Sequence, residues 1–477
     1  MTAAASSVPL PWTGRDLLAA TGGVRVCGDP DTRFQGVGID SRTHAPGRVY
    51  VAIRGANHDG HRFAPDVVAA GGRALVLARD ALDAAPVDRW REQGVLLVAV
   101  ADTLRALGDL ARHHRRRNRA RVVAITGSNG KTTTRAMTAA VLARRHPVSA
   151  TRGNFNNAVG LPLSLFELAP HHRWAVYEIG MNHPGEIDRL AEICEPDLGV
   201  ITNVGPAHLE GVGSIEGVRD AKGELVARLG PGAEAVLNAD DPLVMSLAPR
   251  CPAPPLLFGL APSAAVRATD VVAAADGMRF TLHLPDGRAA VRLATPAPFM
   301  VGNALAAAAI AWRAGLTAAE IRTGLEGFAP VTGRMTRRGA GRGVEILDDT
   351  YNANPASMAA ALDALAAAGG TGRRAAVLGD MRELGPRSAA LHRELGQRAA
   401  ASGIHRLWAT GERAPEVAAG ARAAGMDARN VQVGSKAQIA EALAAWLAPG
   451  DRVLVKGSRA MTMESLVADL AERLREE

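Results

Sequence analysis

The chain has very little lysine. It carries 55 lysine and arginine residues, and only four of them are lysine: Lys131, Lys222, Lys436 and Lys456. Arginine therefore supplies nearly all of the positive charge on this protein. Because arginine serves wherever a charge alone is enough, Lys131 and Lys222 are candidates for places where a compact amine is needed instead of a planar guanidinium.

Cysteines and long apolar runs are also scarce. The three cysteines, Cys27, Cys194 and Cys251, are scattered, so they predict neither a disulfide framework nor a metal cluster and favour a reducing, cytoplasmic setting. No apolar run approaches the roughly 18 residues that a membrane span needs. The opening MTAAASSVPLPWTGRDLL has neither a basic segment nor a long apolar core, so we expect no signal peptide and no membrane insertion.

The positive charge is concentrated in one place. The formal net charge of +7 predicts anionic partners, and HHRRRNRAR, residues 113–121, is the densest basic run. It contains no aromatic residues on which bases could stack, so we expect no nucleic-acid binding. We interpret it as the polar end of a helix that Asp102 caps and that Leu104, Leu107 and Leu110 line on one side.

Length and patterning predict an α/β fold of three domains. At 477 residues the chain exceeds one typical domain. Short β-like runs, GRVYVAI and RALVLA, lie in the N-terminal domain, residues 1–101. Apolar runs separated by helical stretches indicate a parallel sheet with crossover helices in the central domain, residues 102–330. The same alternation returns in a Rossmann-like C-terminal domain, residues 331–477. Within the central domain, residues 255–295 are predicted to form short antiparallel strands, with LPDGR as a hairpin turn.

The segment AITGSNGKTTT follows one of these strands and opens a helix, as phosphate-binding loops do. Gly127 and Gly130 let the backbone turn its N–H groups toward phosphate oxygens. Lys131 can reach the terminal phosphates of ATP, and the hydroxyl of Thr132 can bind Mg²⁺. Ile125 stands where the strict pattern has a glycine, so the loop is a shortened variant. The predicted ATP-binding residues of the loop are Gly127, Ser128, Asn129, Gly130, Lys131, Thr132 and Thr133.

Three further polar residues lie at or beyond successive strand ends, where open α/β sheets bind ligands. Glu178 is either a Mg²⁺ ligand or a solvated loop carboxylate. His208 is either a ligand or a structural histidine. Lys222 is either functional or an exposed helix charge, and the scarcity of lysine favours the functional interpretation.

Several segments together resemble the Mur ligases of bacterial cell-wall synthesis. They are TGSNGKTTT, TRGNFNNAVGLPLSL, YEIGMNHPGEI, ITNVGPAHLEGVGSIEGVRDAKGEL and LDDTYNANPASMAAAL, and they span almost the whole chain in order. The resemblance implies a central ATPase domain and an ATP-dependent ligase. In such an enzyme a substrate carboxylate becomes an acyl phosphate, and an amine then attacks the acyl carbon. Positioning and charge neutralisation do most of the work in such phosphoryl transfer.

The resemblance also implies two Mg²⁺ ions. Thr132 and Glu178 would hold one ion. His208 would hold the other together with Lys222, carbamylated by CO₂. Arginine could not react in this way, which explains a lysine at this position. The catalytic residues implied are Lys131, Glu178, His208 and Lys222.

Contacts to ATP outside the loop follow from the same resemblance. Arg334 matches an arginine near the phosphates, Asp349 a residue at the ribose, and Asn303 an asparagine at the adenine. The family has glycine, any residue, histidine and asparagine before this last helix, whereas this chain has APFM, residues 297–300. The departure concerns the adenine contacts and leaves the phosphate site untouched.

The segments GNFNNAVGLPL and DDTYNANP are typical of family members that use UDP-N-acetylmuramoyl-tripeptide and D-alanyl-D-alanine. The N-terminal domain would bind the UDP end, and the enzyme is expected to be a monomer. The implied substrate-binding residues are Ser41, Arg42, Asn154, Asn157, Tyr351, Asn352 and Asn354.

Two kinds of alternative remain open. One is another Mur-type ligase or a folylpolyglutamate synthase, although the latter has Gly-Ser after the loop lysine where this chain has Thr132 and Thr133. The other is a non-catalytic ATP-binding regulator or nucleic-acid module. Polar residues at several strand ends, Glu178, His208 and Lys222, favour an enzyme over a regulator.

Overall fold

A computed structural model of the chain describes residues 11–475, apart from residues 56, 275–276, 296 and 370. The first ten residues of the opening segment lie outside the described residues. Within the described ranges, no helix is both long enough and apolar enough to cross a membrane. Sheets of mostly parallel strands, covered by helices, make up the chain, which confirms the α/β fold class.

The N-terminal region is built on a five-stranded sheet. The strands of the region are β1 (Trp12–Thr13), β2 (Val24–Cys27), β3 (Arg33–Phe34), β4 (Val37–Gly38), β5 (Val49–Val51), β6 (Ala74–Ala78) and β7 (Leu96–Val100). Its helices are α1 (Gly14–Thr21), α2 (Ala64–Ala69) and α3 (Val87–Glu92). The sheet has the order β2-β7-β6-β5-β4, and β1 pairs with β3. All residues of β6 and β7 are buried, as expected for parallel strands covered on both faces.

The helix α4 (Thr103–Arg116) carries the basic run at its end. Asp102 caps it as predicted, since its carboxylate accepts from the amides of Leu104 and Arg105. Leu107 and Leu110 are buried, but Leu104 is 37% exposed, so the predicted apolar face is wrong at its first position. Three residues turn a helix by about 300°, so a three-residue repeat drifts around the helix instead of staying on one face.

The arginines at the end of α4 are engaged within the protein. Arg115 pairs with Asp197, and Arg116 pairs with Glu195. These ion pairs support the interpretation of the basic run as a helix end.

A nine-stranded sheet forms the central region. Its strands are β8 (Arg121–Thr126), β9 (Val148–Ala150), β10 (Trp174–Glu178), β11 (Leu198–Ile201), β12 (Glu234–Asn238), β13 (Leu256–Gly259), β14 (Val266–Ala274), β15 (Gly277–Leu284) and β16 (Gly287–Leu293). Their order is β16-β15-β14-β13-β12-β11-β8-β10-β9. Register places Ile125 opposite Glu178 and Thr126 opposite Ile201. The carboxyl ends of β8, β10 and β11 therefore meet at one edge.

The prediction for residues 255–295 is correct in part. Strands β14, β15 and β16 are antiparallel, and Leu284 pairs with Gly287 across the expected hairpin turn. The prediction is wrong for β13, which pairs in parallel with both β12 and β14 and so extends the parallel part of the sheet. A short apolar strand gives no local signal of its direction, because direction depends on the preceding crossover.

The helices of the central region flank this sheet. They are α5 (Lys131–Leu142), α6 (Gly160–Leu165), α7 (Glu186–Cys194), α8 (Leu209–Val212), α9 (Ile215–Ala227), α10 (Pro242–Met245), α11 (Phe299–Arg313) and α12 (Ala318–Glu326). All residues from 303 to 311 are buried in α11, and most of them are alanine. Small side chains let this helix approach α5 and the sheet closely, and so position its first turn beside the phosphate loop.

The C-terminal region has a six-stranded sheet. Its strands are β17 (Thr336–Gly339), β18 (Glu345–Asp349), β19 (Arg374–Leu378), β20 (Arg406–Ala409), β21 (Val431–Val433) and β22 (Arg452–Lys456), and its helices are α13 (Pro355–Ala367), α14 (Ser388–Ala401), α15 (Ala414–Ala423), α16 (Lys436–Trp446) and α17 (Glu464–Arg473). The order β17-β18-β22-β19-β20-β21 is parallel except at β17. The insertion of β22 between β18 and β19 creates the kind of crevice at which doubly wound sheets bind ligands. The domain boundaries after residues 101 and 330 stay predictions.

Helices α14 and α15 cross at two glycines. A Cβ atom on Gly396 would lie 1.9 Å from the carbonyl oxygen of Val417, and one on Gly420 would lie 2.0 Å from that of Arg393. We expect Gly396→Ala to lower the free energy of unfolding by about 1–3 kcal/mol, because the helices must move apart. The measurement is the urea midpoint followed by tryptophan fluorescence.

The matched control for this substitution is Gly302→Ala on α11. No atom lies within 4 Å of a Cβ built at Gly302, and alanine is the better helix former by about 1 kcal/mol. This variant should unfold at an equal or higher urea concentration than the wild type. An unchanged midpoint for Gly396→Ala would contradict the close crossing.

Candidate active site

The phosphate loop connects β8 to α5 and is tightly enclosed. Gly127 has φ 153° and Gly130 has φ 81°. A Cβ atom on Gly127 would lie 1.9 Å from Oγ1 of Thr202, and one on Gly130 would lie 2.2 Å from Oδ1 of Asn303. Both positions therefore exclude side chains on grounds of space as well as conformation.

The loop is also fixed by hydrogen bonds to the neighbouring strand end. The amide of Ser128 donates to the carbonyl oxygen of Asn203 (3.0 Å), and the amide of Asn129 donates to Oδ1 of the same Asn203 (2.8 Å). The sequence analysis missed Asn203, whose role depends on its position beside the loop.

Lys131, the first residue of α5, directs its amine back across the loop. Its Nζ donates to the carbonyl oxygen of Gly127 at 2.8 Å. Burial lowers the pKa of this ammonium, and the carboxylate of Glu178 opposes that shift. The amine is therefore held at the mouth of the loop, where an arriving anion would stabilise its charged form.

Thr132 and Glu178 form the second feature of the site. Oγ1 of Thr132 donates to Oε2 of Glu178 at 2.8 Å, and Nδ2 of Asn156 donates to Oε1 at the same distance. Glu178 is only 3% exposed, so it is not a solvated loop carboxylate. Asn156, which holds Glu178 in this way, was not among the predicted site residues, and the predicted substrate contacts of Asn154 and Asn157 stay predictions.

A hydroxyl and a carboxylate in contact fit a magnesium ion, which prefers oxygen ligands. In the described part of the chain, no group of three or more histidine, cysteine, aspartate or glutamate residues is arranged to hold a metal. This is compatible with Mg²⁺, which commonly takes one or two protein oxygens and completes its coordination with water and substrate phosphates.

Lys222 is buried in α9, with only 1% of its surface exposed. The alternative of an exposed helix charge is therefore wrong. Burial, and secondarily the nearby Lys131, lower the pKa of its amine well below the ordinary value. Among the described residues it forms no ion pair, so little favours a charged ammonium here.

His208 contacts the C-terminal region. Its Nδ1 lies 2.6 Å from Oε2 of Glu383, and the amide of Glu210 donates to the carbonyl of Glu383 at 3.3 Å. Hydrogen bonding to His208 is the main cause that holds the pKa of Glu383 below its ordinary value. The predicted pairing of His208 with Lys222 stays a prediction. Glu383 was missed, because only tertiary contact reveals its partner.

Two further contacts join the C-terminal region to the loop. Nη2 of Arg334 donates to Oγ1 of Thr132 at 3.1 Å, and the guanidinium lies 4.0 Å from the ring centroid of Tyr351. Nδ2 of Asn354 donates to Oδ1 of Asn129 at 2.8 Å. Two predicted residues of this region, Arg334 and Asn354, thus contact the loop.

Asp349 and Lys456 form a buried ion pair. They stand opposite each other on the parallel strands β18 and β22, and Nζ of Lys456 lies 2.6 Å from Oδ2 of Asp349. The other carboxylate oxygen accepts from the amide of Met335 at 3.0 Å. The sequence analysis named Asp349 but missed Lys456, although the scarcity of lysine could have indicated it.

A cavity of about 560 Å³ unites these groups. The predicted residues that line it are Ser128, Asn129, Gly130, Lys131, Thr132, Thr133, Asn154, Asn157, Glu178, His208, Asn303, Arg334, Asp349, Tyr351, Asn352 and Asn354. Gly127 and Lys222 are not among its lining residues. Asn303, at the first turn of α11, accepts a hydrogen bond from Oγ1 of Thr134 at 3.3 Å.

Ser41 and Arg42 lie in a short 3₁₀ turn of the N-terminal region, residues 41–43, and do not line this cavity. The guanidinium of Arg42 pairs with Asp40 at 2.8 Å and lowers the pKa of that carboxyl to about 2. Their predicted contact with a UDP group stays a prediction.

Three families match successive parts of the chain. The Mur ligase family, catalytic domain, matches residues 33–115, the Mur ligase middle domain matches residues 125–311, and the Mur ligase, glutamate ligase domain, matches residues 333–459. The order of the three matches agrees with the order of the three sheet regions.

Individual proteins match over nearly their full lengths. The UDP-N-acetylmuramoyl-tripeptide–D-alanyl-D-alanine ligase of Escherichia coli is 36% identical over 93% of this chain and 95% of its own. The crystal structure of MurF from Acinetobacter baumannii is similar with a TM-score of 0.88 and 34% identity, over 98% of this chain and 100% of that one. MurF from Thermotoga maritima, in complex with ADP, is similar with a TM-score of 0.82 and 29% identity, over 92% and 98% of the two chains.

The Asp349–Lys456 pair gives a prediction about stability. Lys456→Met leaves a buried, uncompensated carboxylate, so we expect the free energy of unfolding to fall by about 3–5 kcal/mol. Replacing both partners, as Asp349→Leu with Lys456→Met, should recover most of that loss. The measurement is the urea midpoint of each variant.

The control is Arg398→Met, which breaks an ion pair with Asp363 whose two side chains are about half exposed. It should change stability by less than about 1 kcal/mol. If Lys456→Met costs no more than this control, the buried pair does not hold β18 and β22 together.

Proposed function

The chain belongs to the Mur ligase family, and from that premise we propose that it is an ADP-forming carbon–nitrogen ligase of peptidoglycan precursor synthesis. It adds D-alanyl-D-alanine to UDP-N-acetylmuramoyl-tripeptide and so forms the UDP-linked pentapeptide. The observation that carries the proposal is the meeting of Lys131, the Thr132–Glu178 pair and Arg334 at one cavity. The relative from Escherichia coli, which bears both substrates in its name, favours this activity over the folate-type alternative.

The proposed reaction has two steps. A carboxylate oxygen of the tripeptide attacks the γ-phosphorus of ATP, the bond to the bridging oxygen breaks, and ADP leaves behind an acyl phosphate. The amine of D-alanyl-D-alanine then attacks the acyl carbon, phosphate departs with the electron pair of the carbon–oxygen bond, and the nitrogen loses a proton. An amide results. Lys131 and Arg334, which both contact the phosphate loop, would offset the charge of the transferred phosphoryl group.

Magnesium, when bound, supplies further charge neutralisation. Thr132 and Glu178 would hold one ion. His208 and a carbamylated Lys222 would hold a second, for which Nε2 of His208 is left because Nδ1 faces Glu383. What supports carbamylation is the burial of Lys222 and the lowered pKa of its amine, because CO₂ adds only to an unprotonated amine.

The remaining contacts with ATP follow from the family resemblance, and the residues concerned all line the cavity. Arg334 would meet the phosphates and Asp349 the ribose. Asn303, on α11, would lie beside the adenine. Asp349 already has a partner on each oxygen, and a carboxylate oxygen has a second lone pair with which it would accept a ribose hydroxyl.

The peptide substrates would meet other residues of the same cavity. Asn154 and Asn157 would touch the sugar or the tripeptide, whereas Tyr351, Asn352 and Asn354 would frame the dipeptide. Ser41 and Arg42 would contact the UDP group. The proposed enzyme is a monomer in the cytoplasm, with domain boundaries after residues 101 and 330.

Substrate dependence tests the function. Release of phosphate from ATP should require both UDP-N-acetylmuramoyl-tripeptide and D-alanyl-D-alanine, and the product should gain the mass of the dipeptide. Parallel assays with lysine and with diaminopimelate at the third position identify the tripeptide. Phosphate release that continues without the dipeptide would contradict a ligase.

Lys131→Met should lower turnover at least a hundredfold, the scale of about 3 kcal/mol of lost electrostatic stabilisation.

Lys222 gives the second test. Lys222→Ala should lose most activity, and Lys222→Arg should recover none, because a cation would replace an anion beside a metal ion. Acetate should restore part of the activity of Lys222→Ala by occupying the vacated space with a carboxylate. It should do little for Lys222→Arg, whose side chain fills that space. Wild-type turnover in Lys222→Arg would rule out the carbamate.

A further inference from the structure

Phe299 is a partly exposed aromatic residue at the cavity. It lines the cavity wall and is 39% exposed. Across the described ranges of the chain, no other ring and no guanidinium lies against it. Tyr351 also lines the cavity, but Arg334 lies 4.0 Å and Arg459 5.8 Å from the centroid of its ring. Phe299 is therefore the ring that remains accessible to a planar ligand.

The helix register places this ring beside the phosphate loop. Phe299 and Asn303 are four residues apart on α11, so they lie on the same face of the helix. Asn303 is the residue whose Oδ1 crowds Gly130. Phe299 thus lies one helical turn, about 5.4 Å, further along the cavity wall from the loop.

The other two residues of α11 that line the cavity, Met300 and Asn303, offer few free polar groups. Oδ1 of Asn303 accepts from Thr134, and its Nδ2 points to Sδ of Met300 at 3.6 Å. Met300, the next residue after Phe299, is 2% exposed and offers only a weakly accepting sulfur. The side-chain amide of Asn303 is already engaged within the protein, so this turn has little capacity for hydrogen bonds to a base.

We propose that Phe299 is the stacking platform for the purine of the nucleoside triphosphate, and that stacking dominates base recognition at this site. The inference rests on the proposed function, because it takes the phosphates to lie on the loop. Every base has a π face, so stacking tolerates different bases. Strong rejection of an analogue requires buried polar groups that the analogue leaves unpaired. The site therefore accepts guanine nearly as well as adenine.

The test compares three ligands by calorimetry in the presence of Mg²⁺: ATP, GTP and inorganic tripolyphosphate, which has no base. The wild type should bind ATP and GTP with dissociation constants within about tenfold of each other. Phe299→Ala should weaken both nucleotides by a similar factor, about tenfold, and leave tripolyphosphate unchanged. Phe299→Trp should retain nucleotide affinity, whereas Phe299→Leu, apolar but without a π face, should behave like the alanine variant.

Leu260→Ala is the control, because it removes an apolar side chain that is 52% exposed and does not line the cavity. All three affinities should stay at the wild-type values. A GTP affinity more than a hundredfold below that of ATP would overturn the inference. So would an unchanged ATP affinity in Phe299→Ala, or a parallel loss of tripolyphosphate binding, which would mean that Phe299 acts by shaping the loop. Failure of the wild type to bind any of the three ligands would instead overturn the proposed function.

Discussion

The arrangement of the site depends on the narrow space between the end of β11 and the first turn of α11. Two glycines of the loop lie against the walls of that space. Gly127 lies against Thr202, and Gly130 lies against Asn303. Because no side chain fits there, the loop's backbone amides come close to the cavity and α5 must begin at Lys131. Thr132 then falls beside Glu178 and within reach of Arg334. A loop displaced by one ångström would break these contacts together.

The parts of this site that are local in sequence could be predicted. The strand, the glycines and the lysine of the phosphate loop follow one another in the chain, and Asp102 stands directly before the helix that it caps. Contacts between distant segments could not be predicted in the same way. Asn156 lies within the characteristic segment GNFNNAVGLPL, but nothing in the sequence indicates its partner. Only the fold brings Asn156 to Glu178 and Glu383 to His208. Lys456 was within reach of the sequence argument but was not selected.

The errors have physical causes as well. Leu104 was assigned to an apolar face by a spacing that drifts around the helix, and its neighbours leave it exposed. Strand β13 was given the wrong direction, because its residues fit either direction equally well. In both cases tertiary packing decided what local pattern left open.

Three of the four lysines are wholly or partly buried, and the charged groups near each amine decide how far its pKa is lowered. Burial lowers the pKa of Lys131, Lys222 and Lys456 alike. Asp349 opposes the shift at Lys456, and Glu178 opposes it at Lys131, whereas the neighbour of Lys222 is another cation. The amine of Lys222 is accordingly the most readily neutral of the three. A guanidinium cannot be deprotonated in proteins, so arginine at these positions could not supply a neutral amine.

The same distribution leaves the outside of the protein almost without primary amines. Three of the four lysines are buried or line the cavity, and the fourth, Lys436, donates to Met461 and to Thr462. Surface charge is carried by guanidinium groups, which common acylating reagents leave unmodified. Among the described residues, amine-acylating reagents would therefore find few targets other than Lys436 and the lysines of the cavity. Their extent of reaction becomes a measure of whether the cavity is occupied.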